Sequence, residues 1–220
     1  MTLFLTSIYS LICGGVLALW ECVFFFRSWD LWRARWYLFS YYFLSNYWIG
    51  PITSLADSRP PGDLTYGETP FWTARRILLW SGAKGRETLW ELGCGRGSLV
   101  FLAAIHFGMR AVGVDVSPLF VRVGELISGK IGLNRVSWKE SDFLKMDFNE
   151  LPEPDFIYLA STTFSWPTML ALTEKLEALP PGVKVISLSA GLPSKAFRQI
   201  DEKEFWFSWG RATAHLQVRV

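Results

Sequence analysis

Apolar and polar positions divide the chain into three regimes. From Leu3 to Ile52 apolar residues dominate. Two stretches there are nearly uncharged: Leu3–Phe26, where Glu21 is the only charged side chain, and Trp36–Ile52, which has none. From Phe71 to Ser189 short apolar runs alternate with amphipathic segments. From Glu204 to Val220 polar and apolar side chains alternate around Gly210, the period of a half-buried strand pair.

The middle regime predicts strands at Thr88–Trp90, Ala111–Val114, Val136–Glu140, Phe156–Ala160 and Lys184–Ser189. Helical stretches separate them at Ser98–Phe107, from Ser117-Pro118 to about Lys130, and at Thr168–Leu179. A further helix, Phe71 to about Gly82, opens on Thr69 as N-cap with Pro70 at its first position. Glu204–Trp209 and Ala212–Val220 form a closing antiparallel hairpin. The expected fold is therefore α/β: a seven-stranded, doubly wound, Rossmann-like sheet with a C-terminal antiparallel hairpin.

The first regime predicts membrane attachment. Leu3–Phe26 is long enough to cross a bilayer and is apolar on all faces. A cleaved signal peptide would need a basic start and a small-residue cleavage site, and neither is present. Arg27, Arg33 and Arg35 follow the run and no basic residue precedes it, so the positive-inside rule puts the rest of the chain in the cytoplasm. The aromatic run, with Trp36, Tyr37, Tyr41, Tyr42, Tyr47 and Trp48, either spans as well or lies in the headgroup zone. A second span would send the remainder outside, so an interfacial helix over residues 36–50 is the preferred reading. Asp57–Asp63, with Pro60-Pro61-Gly62, reads as a linker. The expected organisation is a membrane-anchoring region, 1–60, with the lipid bilayer as partner. A catalytic domain, 61–220, follows on the cytoplasmic side of a single-pass protein.

The candidate chemistry centres on Glu91-Leu92-Gly93-Cys94-Gly95-Arg96-Gly97, between the first strand and its helix. Strand, glycine turn and helix form the nucleotide cradle of a doubly wound sheet. Ser98 stands where a dinucleotide site has its third glycine or alanine. Glu91, an acid beside the turn, suits a cationic ligand and opposes a pyrophosphate. S-adenosylmethionine, with its ammonium and sulfonium, fits. Asp115, about twenty residues past the turn at a strand end, is placed for ribose hydroxyls. Asp142 could accept from an adenine amino group with Phe143 against the ring, or serve as an ordinary turn acid. Ser161-Thr162-Thr163-Phe164 follows the fourth strand and should border the reacting methyl; helix capping before Pro167 is its plainer role.

Composition narrows the options. A net charge of +2, with no basic run, gives no case for a nucleic-acid partner. The three cysteines are scattered, and His106 and His215 are the only imidazoles, so no metal site is expected.

Taken in order, Tyr66-Gly67-Glu68-Thr69, Glu91–Gly97, Ser161–Phe164, Leu179-Pro180-Pro181-Gly182 and Ser208-Trp209-Gly210 resemble a known set. The set belongs to the class I S-adenosylmethionine-dependent methyltransferases, in particular the telomeric-silencing histone lysine methyltransferases. The apolar lead-in is similar to the membrane-anchored lysine methyltransferases of the ATP synthase rotor-ring subunit. The resemblance covers residues 64–220. It implies that Tyr66, Glu68 and Thr69 contact the methionine part of the cofactor. It implies that Glu91, Gly93, Cys94 and Gly95 hold its backbone, Asp115 with Val116 the ribose, and Asp142 with Phe143 the adenine. Tyr66, Ser161, Thr162 and Phe164 would form the catalytic channel, Ser161 also touching the cofactor, with Trp209 on its wall. The histone enzymes carry an asparagine pair where this chain has Ala160-Ser161, so lysine specificity does not follow. The expected function is methyl transfer to a lysine of a membrane-associated protein. Alternatives are a lipid or quinone acceptor, or a membrane-tethered module that binds the cofactor without turnover.

Overall fold

The computed structural model describes Val16, Leu19, Trp20, Glu21, Val23 and Phe25, then residues 28–43 and 67–220. The Asp57–Asp63 linker and Tyr66 lie outside the described residues, as does most of the Leu3–Phe26 run.

Seven strands form one sheet: β1 (Thr88–Leu92), β2 (Arg110–Asp115), β3 (Val136–Glu140), β4 (Phe156–Leu159), β5 (Lys184–Leu188), β6 (Phe197–Phe207) and β7 (Gly210–Arg219). Their order is β3-β2-β1-β4-β5-β7-β6. β1 to β5 run parallel, and β7 pairs antiparallel with both β5 and β6. The order reverses at β1, with β2 on one side and β4 on the other, which opens a crevice at the carboxyl ends of these strands.

Strand alternation assigns the two faces. Leu89, Ala111, Tyr158, Ile186 and Leu216 pack beneath helices α1 (Trp29–Phe43), α2 (Phe71–Ser81), α3 (Ser98–Leu102) and α4 (Pro118–Ile131). Trp90, Leu92, Val112, Ile157 and Val185 face α5 (Trp166–Leu176) with Met169, Leu172 and Leu176. Glu91 shares the parity of Leu89 and so points at the α2–α4 side.

Several boundaries move. β6 starts at Phe197 and not Glu204, because Arg198 to Glu204 are exposed on both faces and give no alternation signal; a register shift lies between Gln199 and Asp201. α5 starts at Trp166, where the Ser165 side chain caps the first turn. The helix after the glycine turn changes to one π-helical turn at Ala103–Phe107, closed by a left-handed Gly108.

The N-terminal readings change most. Among the described residues no helix is long and apolar enough to cross a membrane, which overturns the single-pass localisation. In the described part of the first run, Glu21 and Phe25 are buried against the domain, while Val16, Leu19, Trp20 and Val23 are exposed. Glu21 is buried, pairs with Arg35 and accepts from the Trp72 N–H. Trp20 stacks on Trp72 at 5.8 Å, and buried Phe25 meets His106 edge-on at 5.5 Å. The aromatic helix begins at Trp29 and not residue 36. Leu31, Ala34 and Leu38 form its buried stripe. Arg33 caps the last carbonyls of α4 through Lys130 O at 2.8 Å, and the Lys130 ammonium lies over Tyr37 and Tyr41. Residues 44–50 of the expected interfacial helix are outside the described residues.

Candidate active site

The site begins where β1 ends. Gly93, Gly95 and Gly97 have φ of 80°, 51° and 73°, a left-handed backbone that residues with a Cβ adopt at a cost. The Gly93 and Cys94 N–H groups both donate to Val114 O, at 2.8 and 2.9 Å, clipping the turn to the end of β2. Beyond it, the Asp115 carboxylate accepts from Gly95 N–H at 2.7 Å and from Ser117 N–H at 2.8 Å. These bonds fix the carboxylate at the carboxyl end of β2. Val116, half-buried, follows directly.

Three acids gather at the turn. Glu91 is buried and accepts from Val100 N–H, in the first turn of α3, at 3.2 Å. Burial holds its carboxyl well above the usual range; the Val100 bond opposes that shift, and the charges of Asp115 and Glu68 add to it. Glu68 accepts from Ser98 Oγ at 2.7 Å and faces Arg96 at 3.6 Å, so its loop crosses the glycine turn. The hairpin tip supports the same loop: a Cβ on Gly67 would lie 3.3 Å from Trp209 Nε1, and Trp209 stacks on Phe207 at 4.7 Å.

Aromatic rings close another side. Phe143 and Phe164 stack at 5.6 Å. Both point at Gly93, where a Cβ would stand 3.9 Å from Phe164 and 4.0 Å from Phe143. Asp142 turns the chain ahead of Phe143 by accepting from Leu144 N–H at 2.9 Å, and pairs with Lys145 at 3.5 Å.

The structure thus brings Glu68, Glu91, Gly93, Gly95, Asp115, Phe143 and Phe164 to one crevice. Other expected residues turn elsewhere. The Cys94 thiol faces the interior: a Cβ on Gly113 would lie 3.0 Å from its Sγ, and burial pushes its pKa well up. Ser161 Oγ donates to Leu188 O at 2.8 Å and accepts from Leu188 N–H at 3.2 Å, tying β4 to β5. Thr69 is buried against Tyr158 Oη at 2.8 Å, beneath the site. Thr162 is exposed, with its hydroxyl 3.1 Å from that of Ser189.

Sequence reasoning missed two of these partners. Tyr158 sits opposite Glu91 in the β1–β4 register, and burial drives its phenol pKa upward. Ser189 has a left-handed φ of 69° at the carboxyl end of β5, and its position just past a strand was the available signal. His106 accepts from Arg75 at 3.2 Å on the π-helical turn, and His215 lies on β7 beside Glu202; neither belongs to the crevice residues above. No group of three or more His, Cys, Asp or Glu able to hold a metal occurs among the described residues.

No family model matches the chain. It is 29% identical over 125 residues to a protein-lysine N-methyltransferase of Saccharolobus islandicus, covering 56% of this chain and 74% of that protein. It is 28% identical over 161 residues to ribosomal RNA small subunit methyltransferase A of Leifsonia xyli subsp. xyli, covering 67% of this chain and 56% of that protein. The structure of an RNA methyltransferase from Salinibacter ruber with S-adenosyl-L-homocysteine superposes with a TM-score of 0.56 at 22% identity, over 69% of this chain and 93% of that one. Geranyl diphosphate C-methyltransferase from Streptomyces coelicolor gives 0.56 at 15% identity, over 69% and 76%. These relatives and structural neighbours are class I S-adenosylmethionine-dependent methyltransferases, and the chain shares their fold; it spans little more than half the length of the ribosomal RNA methyltransferase that it matches. The ribosomal RNA relative stands against the expectation of no nucleic-acid partner, which rested on net charge.

The crevice fits this cofactor. The carboxylates of Glu68 and Asp115 beside the turn favour a ligand bearing an ammonium and a sulfonium over a diphosphate. The missing Cβ of Gly93 leaves a slot bordered by two aromatic rings.

Proposed function

We propose that the chain transfers the methyl group of S-adenosylmethionine to a lysine side chain of a protein. The likeness to a protein-lysine N-methyltransferase across 74% of that relative's length carries this reading. When bound, the cofactor supplies an electrophilic methyl group on a sulfonium. Asp115 would take the ribose hydroxyls, Glu68 the ammonium, and Asp142 with Phe143 the adenine. Tyr66, Thr162 and Phe164 would line the acceptor side. An aromatic wall there excludes water and lowers the pKa of an approaching lysine, freeing its lone pair. The chain needs no strong general base; holding donor and acceptor in line supplies most of the acceleration.

A second reading, an RNA base as acceptor, is favoured by the ribosomal RNA methyltransferase relative. Against it, 22 basic residues are balanced by 20 acidic ones, whereas RNA enzymes concentrate positive charge for the phosphate backbone.

The test uses purified chain, methyl-labelled S-adenosylmethionine and an extract of cells lacking the protein. Label is separated into protein, RNA and organic-solvent fractions. The proposal expects labelled protein containing methylated lysine, abolished by Asp115→Ala. Label in RNA would establish the second reading. Label confined to the organic fraction would overturn both in favour of a lipid or quinone.

A further inference from the structure

Three glycines from three different elements surround one ring. A Cβ on Gly113 of β2 would come within 2.7 Å of the Trp138 indole, one on Gly124 of α4 within 2.6 Å, and one on Gly97 of the glycine turn closer still. Gly113 and Gly124 do not have positive φ, so their need for glycine is spatial and not conformational. The slot holds the ring firmly. Trp138 Nε1 donates to Ser128 Oγ at 3.0 Å, and Phe101 of α3 lies 5.2 Å from the indole. One wall of the slot is the glycine turn itself. Gly97 accepts from Phe101 N–H at 2.9 Å and donates to Cys94 O at 2.8 Å, while two residues earlier Gly95 N–H holds Asp115.

We infer that Trp138 is a positioning residue for the cofactor: its indole, seated among Gly97, Gly113 and Gly124, backs the glycine turn and holds Gly95 and Asp115 in register. The inference rests on the crevice being the cofactor site. Trp138 acts from behind the turn. A ring pushed outward by even a fraction of an ångström moves the N-cap of α3 and the turn before it. Donors that hold a ligand tolerate displacements of only about 0.5 Å. Gly124 offers a way to move the ring from a distance, since the three nearest atoms to a Cβ built there all belong to the indole.

The experiment titrates S-adenosyl-L-homocysteine into the parent chain, Gly124→Ala, Trp138→Phe and the double variant, by calorimetry. Each protein is first checked for a cooperative melt. Gly124→Ala is expected to weaken binding about tenfold. In the double variant the smaller phenyl ring leaves room for the added methyl, and most of that loss is recovered. A purely structural role would lower the melting temperature without this loss and rescue of affinity. Affinity of folded Gly124→Ala within about twofold of the parent overturns the inference. Should Gly124→Ala not fold, Trp138→Phe decides: about tenfold weaker binding supports it, and unchanged affinity overturns it. A parent chain that does not bind would remove the cofactor site itself, a result distinct from parent binding that the variants leave unaltered.

Discussion

At the residue scale, Glu91 sets position against charge. Alternation along β1 drives it inward beside Leu89, where burial favours the protonated acid. In the unfolded chain its carboxyl titrates near 4.5, and in the folded chain the value is raised. The folded state therefore binds this proton more tightly. The resulting stabilisation is full below pH 4.5 and is lost as pH rises through the raised value. Glu91→Gln keeps an acceptor for Val100 and removes the buried charge. Its melting temperature is expected to exceed the parent's at pH 7.5, with the difference closing as pH falls toward 4.5. Melts across that range check this; an equal difference at both ends would contradict it. Glu91, Gly93 and Asp115 of the candidate site stand out in the sequence because each lies at the end of an apolar run, where a doubly wound sheet exposes its ligands. Side-chain direction was less so. Cys94 and Ser161 sit in the right stretches, yet one thiol faces Gly113 and the other hydroxyl is taken up by Leu188.

At the element scale, α1 shows what hydropathy leaves out. A count of apolar residues does not reveal what they bury against. Leu31 is 1% exposed and Trp36 67% exposed on the same helix, so one stripe is domain core and the other is surface. Leu31→Ala is expected to cost about 2–5 kcal/mol of unfolding free energy, and Trp36→Ala no more than about 0.5 kcal/mol. Urea unfolding of the two variants measures both; equal costs would detach α1 from the domain. The glycines around Trp138 were equally hidden. Gly113 sits mid-strand and Gly124 mid-helix, and the ring that needs them belongs to β3. Non-local contacts of that kind leave no local period to read. The strands themselves were readable, except where Arg198–Glu204 is exposed on both faces and the alternation vanishes.

At the scale of the whole molecule, parallel strands interleaved with helices and a closing hairpin implied the architecture, and the sheet has that form. The insertion of β7 between β5 and β6 follows from long-range pairing that alternation alone does not specify. This arrangement carries the hairpin tip back to the loop ahead of α2, where Trp209 meets Gly67. We propose the glycine turn and Asp115 as the site for S-adenosylmethionine. The most direct measurement is a calorimetric titration of S-adenosyl-L-homocysteine into the purified chain and into Asp115→Ala. A cofactor site there predicts saturable one-to-one binding to the parent, weakened about a hundredfold or more in the variant. No binding to the folded parent, or equal binding to both proteins, would contradict it.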